Sequence, residues 1–127
     1  MVRPLGLFRE FAGSPATAPS LRSALGRGPG GAVQRRTALY LVQGTPVRFV
    51  MEQLADVIDG EEVFLSGGLL SDGDWFWRAD LAHYVQKYNV DLGPEFVDHA
   101  AAWRWSPGLL SGERVADVAG QIRRQGL

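Results

Sequence analysis

The sequence predicts an α+β fold, in which a small antiparallel meander over about residues 62–78 packs against helices that cover one of its faces. Three observations carry that expectation. The runs Glu62-Val63-Phe64-Leu65, Leu69-Leu70-Ser71 and Trp75-Phe76-Trp77-Arg78 are short, apolar and interrupted by Gly-containing turns, as strands are. Leu81, Tyr84, Val85 and Tyr88 instead recur at three- and four-residue steps, as on one face of a helix. A length of 127 residues, 46% of them hydrophobic, suits one domain with a single core.

Residues 1–31 are rich in Ala, Pro, Ser, Gly and Arg and read as a flexible basic N-terminal extension. Gly13-Ser14-Pro15-Ala16-Thr17-Ala18-Pro19-Ser20 has linker composition, and Leu5-Gly6-Leu7-Phe8 is halted by Arg9, too short for a secretory core. Residues 32–127 form the expected domain. Val33, Ala38, Leu41 and Val42 allow a helix over 32–43, although 37–43 would serve equally as a buried strand.

Thr45 as a cap, Pro46 in the first turn, and Val47, Val50, Met51, Leu54, Val57 and Ile58 at helical spacing predict a helix over 46–58, closed by Asp59-Gly60. Asp72-Gly73 has the composition of a type I′ hairpin turn, whose two central residues both take positive φ. On the returning strand Trp75 and Trp77 then share a face opposite Phe76. A helix over 80–89 starts at Asp80, read as its cap, and stops at Asn89, a residue that tolerates the left-handed conformation. Further helices follow over 94–104 and, capped by Ser111, over 112–124.

Charge is unevenly placed. Residues 1–36 carry six Arg against Glu10 alone, and residues 37–127 carry seven basic and 13 acidic side chains, so a net −1 hides +5 and −6. The acidic part repels a polyanion, which argues against nucleic acid as a partner. Its acids Glu52, Asp56, Asp59, Glu61, Glu62 and Asp98 are expected to face solvent and to favour a basic protein partner. No apolar run is long enough to cross a membrane, so no membrane partner is expected. The absence of Cys removes disulfides, thiolate zinc sites and thiol catalysis.

Candidate chemistry is sparse. Asp72, Asp74 and Asp80 do not continue into a calcium loop, because position twelve from Asp72 is His83 and not a glutamate. His83 and His99 are the only histidines, too few for zinc without Cys, and both fall on helix faces that look solvated. No metal, cofactor or catalytic residue is therefore assigned. An enzyme would use His83 or His99 as its acid or base, beside Asp80, Asp98 or Ser71. Tryptophan is abundant, with four in two alternating pairs, so Trp75, Trp77, Trp103 and Trp105, with Arg104 between the last two, are the partner-binding candidates.

The stretch Ser71-Asp72-Gly73-Asp74-Trp75-Phe76-Trp77, followed by Leu81-Ala82-His83-Tyr84-Val85, resembles a family of small uncharacterised bacterial proteins. Its members share a Ser/Thr-Asp-Gly-x-Trp-x-Trp core and a Leu-x-x-Tyr-Val helix. More loosely the chain is similar to α+β immunity proteins, which neutralise bacterial toxins by binding them. The resemblance implies a cytoplasmic, non-catalytic interaction module with a protein partner, such as a basic toxin. The alternatives are the histidine enzyme above and a structural homodimer joined through its tryptophans.

Overall fold

In chain order the elements are β1 (Arg3–Pro4), α1 (Leu21–Ala24), α2 (Gly31–Val42), β2 (Thr45–Met51), β3 (Leu54–Ala55), β4 (Glu62–Val63), β5 (Ser66–Ser71), β6 (Trp75–Arg78), α3 (Leu81–Tyr88), α4 (Pro94–Ala102) and α5 (Gly112–Arg124). The structure is a computed structural model and describes residues 1–63 and 66–127; Phe64 and Leu65 of the expected first strand lie outside the described residues. The fold is α+β. Its open, mixed sheet has the order β1-β6-β5-β2, with β1 parallel to β6 and the other pairs antiparallel, while β3 and β4 form a separate short hairpin.

Side-chain alternation along β6 builds the core. Trp75 and Trp77 point into a cluster with Tyr40 and Leu41 of α2, Leu81, Tyr84 and Val85 of α3, and Phe96 and Ala100 of α4. Phe76 points the other way and meets Val118 and Ile122 of α5, with Val2 and Leu69. Alternation therefore places the rings as expected, but helices cover both faces of the sheet and not one. That is why Trp75-Phe76-Trp77 is apolar throughout. The Trp77 indole N–H donates to the Leu41 carbonyl at 3.1 Å, so its one polar atom is satisfied inside the core. Gly44 makes room for it, since a Cβ there would stand 2.7 Å from the Trp77 ring.

Residues 1–31 are a packed part of the domain and not the flexible extension expected from their composition. Val2, Leu5, Phe8, Phe11 and Leu21 are buried, Arg3 N–H donates to Asp74 O and Leu5 N–H to Phe76 O. Val2, Leu5, Phe8 and Phe11 recur every three residues, yet the Pro and Gly around them hide the pattern, and each packs into one of the two cores. Glu10 fixes the return, accepting from Ser20 Oγ and from the amides of Leu21 and Arg22 at the start of α1. Burial opposes its charge, but those hydrogen bonds prevail and lower its pKa to about 2.

The helix expected over 46–58 is replaced by β2, a turn and β3. Thr45, read as a cap, is instead the first residue of β2, which pairs antiparallel with β5 from Thr45↔Ser71 to Met51↔Ser66, with an irregularity between Pro46 and Arg48. Val47, Phe49 and Val50 fit a pleated surface, and Val47 packs on the α5 side of the sheet. Opposite them Gly68 has φ +95°, and a Cβ there would lie 2.1 Å from Arg48 O, so only glycine allows this approach. Val57 and Ile58 reach the first core from the turn after β3, so their helical spacing with Val47 and Leu54 was coincidental.

The remaining elements follow expectation more closely. The segment 37–43 is helical through Val42, Asn89 ends α3 with φ +50°, and Ser111 caps α5 by accepting from Arg114 N–H. Two local readings change. The β5–β6 loop is Asp72-Gly73-Asp74 with only Gly73 at positive φ, so it is not a type I′ pair. Asp80 precedes α3 without capping it, because both its oxygens accept from Arg78 at 2.9 and 3.0 Å.

Candidate functional site

Two aspartates, each in a tight turn, organise the polar chemistry. In the loop after β3, Asp56 Oδ1 accepts from the amides of Ile58 and Asp59. Its Oδ2 accepts from Tyr88 OH at 2.8 Å and faces His83 Nε2 at 2.7 Å. In the loop after β5, Asp72 Oδ1 accepts from the amides of Asp74 and Trp75. Its Oδ2 accepts from Tyr40 OH at 2.6 Å and faces His99 Nε2 at 2.8 Å. The two sites have the same plan. One oxygen closes the turn on residues i+2 and i+3, and the other receives a histidine and a tyrosine from helices.

Each carboxylate is almost inaccessible, with side-chain exposures of 0% for Asp56 and 2% for Asp72. Burial would raise the pKa of Asp56, but the bonds from His83, the Ile58 amide, Tyr88 and the Asp59 amide outweigh it and hold the value at about 2. Tyr88 is pushed up to about 12, first by burial and then by its bond to Asp56. Tyr40 is raised for the same two reasons, with Asp72 in place of Asp56. A carboxylate that only accepts fixes the imidazole tautomer, so Nε2 carries the proton at both histidines. Nδ1 has no partner among the described residues, and since no described buried side-chain N or O lacks a partner, it is open to solvent.

The histidines face different surroundings. His99 borders a polar cleft of about 310 Å³ with Arg3, Asp74, Glu95 and Arg114. The cations there are already engaged: Arg3 binds Glu95 with both terminal nitrogens and lies 4.0 Å over the Trp75 ring, and Arg114 reaches Asp117 and the Gly73 carbonyl. Asp72, Asp74 and His99 bring three possible ligand atoms within 4.8 Å. Asp72 Oδ2, however, already serves Tyr40 and His99, so the cluster gains no assignment as a metal centre.

His83 lines a shallow groove of about 480 Å³ between α2 and α3, with Arg35, Ala38, Leu39, Val42, Ala79, Ala82 and Gln86 around it. Leu39 and Val42 are 57% and 58% exposed, although the same helix buries Ala38, Tyr40 and Leu41. At the end of α2, Gln43 Nε2 donates to Leu39 O and to Trp105 O, which ties the groove to the turn after α4. In that turn Arg104 N–H donates to Ala101 O and Trp105 N–H to Ala100 O, the pairing of a Schellman cap. Arg104 and Trp105 take φ +54° and +60°, positions that usually favour glycine.

The partner-binding candidates thus divide. Trp75 and Trp77 are buried and unavailable to a partner. Trp105 is half-buried against the first core, whereas Trp103, 51% exposed, and Arg104 stand in solvent. Among the acids expected outside, Asp56 is buried, while Glu52, Asp59, Glu61, Glu62 and Asp98 are exposed. His83 and His99, expected on solvated faces, are each about one-fifth exposed and clasped to Asp56 and Asp72, not to Asp80, Asp98 or Ser71. Sequence reasoning missed Asp56, Tyr40 and Tyr88 as site residues, because each clasp joins residues 27 or 32 positions apart. The groove lining of Leu39 and Val42 had a weak signal, an apolar pair beyond what one buried helix face needs. No family model, curated protein or solved structure matches the chain.

Proposed function

We propose that the chain is a protein-interaction module whose contact face is the α2–α3 groove together with Trp103 and Arg104. The supporting observation is the exposure of Leu39 and Val42 beside a groove floored by Ala38, Ala79 and Ala82, continuous through Gln43 with the exposed Trp103 turn. Exposed apolar side chains grouped this way, with Trp and Arg at one end, have the makeup of an interface centre. No reaction is assigned: among the described residues, neither the cleft at His99 nor the groove at His83 is lined by a Ser, Thr or Lys nucleophile. An apolar face with a polar rim fits a protein partner, and no described helix is long and apolar enough to cross a membrane.

Amide exchange on the chain with and without a captured partner tests the reading. Protection is expected in α2 and over residues 103–105. Protection confined to the exposed face of α5, near Glu113 and Ala116, would discard it. The homodimer reading uses the same face, and sedimentation of the chain alone separates the two, since a stable dimer would bury Leu39 and Val42 without a second protein.

A further inference from the structure

The groove carries a charge signature that says what kind of partner it takes. Its ionisable lining residues are Arg35 and His83, with no carboxylate among the described lining residues. Helix α2 carries Arg35 and Arg36 and no acid, and Arg104 stands exposed at the far end of the face. The acids that give the rest of the chain its negative charge do not line this groove. Asp56 behind His83 is committed to its four hydrogen bonds, and Asp59 is held by Lys87.

We infer that the groove docks an acidic amphipathic helix of a protein partner, with one partner carboxylate received by His83 Nδ1, so that binding tightens on acidification. This rests on the groove being the contact face. A helix suits the site because Arg35, Leu39 and Val42 run along α2 at i, i+4 and i+7, and a second helix packs along such a stripe with its own apolar side chains. The partner sign is the reverse of the one expected from total charge, because local and not net charge faces the partner.

The role of His83 follows from its clasp. Asp56 keeps Nε2–H in place in both protonation states, so gaining a proton alters only Nδ1, the atom without a protein partner. Neutral His83 offers the groove a lone pair, which repels a carboxylate; protonated His83 offers a cationic N–H, which binds one. The other charged or titratable groups around it are Asp56 from the β3–β4 loop, Tyr84, Tyr88 and Lys87 on its own helix, and Arg35 across the groove. Tyr84 and Tyr88 stay neutral throughout the imidazole range, since burial raises both phenols.

The test is selection of phage-displayed amphipathic helices, with randomised flanking charges, on the immobilised full chain and against an L39D/V42D variant. Expected winners carry Asp or Glu beside their apolar stripe and fail on that variant. Their peptides should bind roughly tenfold more tightly at about pH 5.5 than at about pH 8, as one charge-assisted hydrogen bond implies. H83Q should bind at both pH values with that difference lost. Because H83Q disturbs the Asp56 clasp, nitrogen shifts of His83 in the unaltered chain give a second readout, and its titration midpoint should rise when an acidic peptide is bound. Winners that bind L39D/V42D equally well would remove the contact face itself. Face-dependent winners that are basic, or an unmoved His83 midpoint, would overturn this inference and leave the contact face standing.

Discussion

Asp56 and Asp72 do the same work at two corners of the molecule. Each closes its own turn with Oδ1 and receives a histidine Nε2 and a tyrosine hydroxyl at Oδ2, His83 and Tyr88 for Asp56, His99 and Tyr40 for Asp72. Each corner thereby fastens a loop of the β-layer onto helices: Asp56 onto α3, and Asp72 onto α2 and α4.

Acid should loosen the first corner in a defined direction. The folded-state pKa of Asp56 is about 2, below its ordinary value of 3.8, so its stabilising contribution is complete above pH 4 and disappears as pH falls toward 2. The amount is about 2 kcal/mol. Glu10, also lowered to about 2, steepens the same limb. Urea titrations between neutral pH and pH 2 should show this decline, with a shallower one in D56N. An equal slope in D56N would mean that Asp56 is not ionised by these contacts.

Arg104→Gly should stabilise the fold. Arg104 occupies the left-handed position of the α4 cap, where a side chain costs about 1 kcal/mol relative to glycine. Part of that gain is returned through the more flexible unfolded chain, leaving a net rise of about 0.5 kcal/mol. Thermal unfolding gives the answer, and a fall in Tm would show that the guanidinium holds something the cap geometry does not reveal.

Phe11→Ala should cost about 3 kcal/mol, the usual loss for a buried ring. Phe11 lies 5.2 Å from the Tyr84 ring and carries the Arg78 guanidinium 4.2 Å above its face. A flexible extension would tolerate the change without loss, so chemical denaturation decides between the two descriptions of residues 1–31.

Trp77→Phe should cost about 2 kcal/mol, because it removes the indole donor from the Leu41 carbonyl, which keeps the Gly44 amide, and opens space beside Gly44. Leu39→Ser and Val42→Ser should change stability by less than about 0.5 kcal/mol, since both side chains are exposed. A large loss in either would show that the groove residues serve the core and not a contact.

Sequence patterning captured what depends on neighbours along the chain. Trp75-Phe76-Trp77 declared its alternation, and Leu81, Tyr84, Val85 and Tyr88 declared α3, because burial and periodicity coincide there. Residues 46–58 failed because the three- and four-residue spacing of Val47, Val50 and Leu54 does not mark one buried face, Val50 being exposed, and β5 supplied the pairing edge that makes this segment a strand. Residues 1–31 failed because Pro and Gly suggested a linker, while Val2, Leu5, Phe8 and Phe11 each find a partner far along the chain. The clasps were illegible for a related reason. Nothing local to Asp56 announces His83, and His83 alone looks like solvated helix surface.

The parallel pairing of Arg3 and Pro4 with Trp75 and Phe76 has a kinetic side. On the ribosome this strand emerges well before β6 and must wait for it, whereas β5, β6 and α3 meet soon after they are made. Val2 waits longer still, because its amide and carbonyl are bound by Gln121 and Gln125 of the last helix and its flank. The order of closure is therefore nearly the reverse of the order of synthesis at the sheet edge. Late docking of the first residues should appear as a slow refolding phase, one that F11A leaves intact and that truncation before Leu5 abolishes.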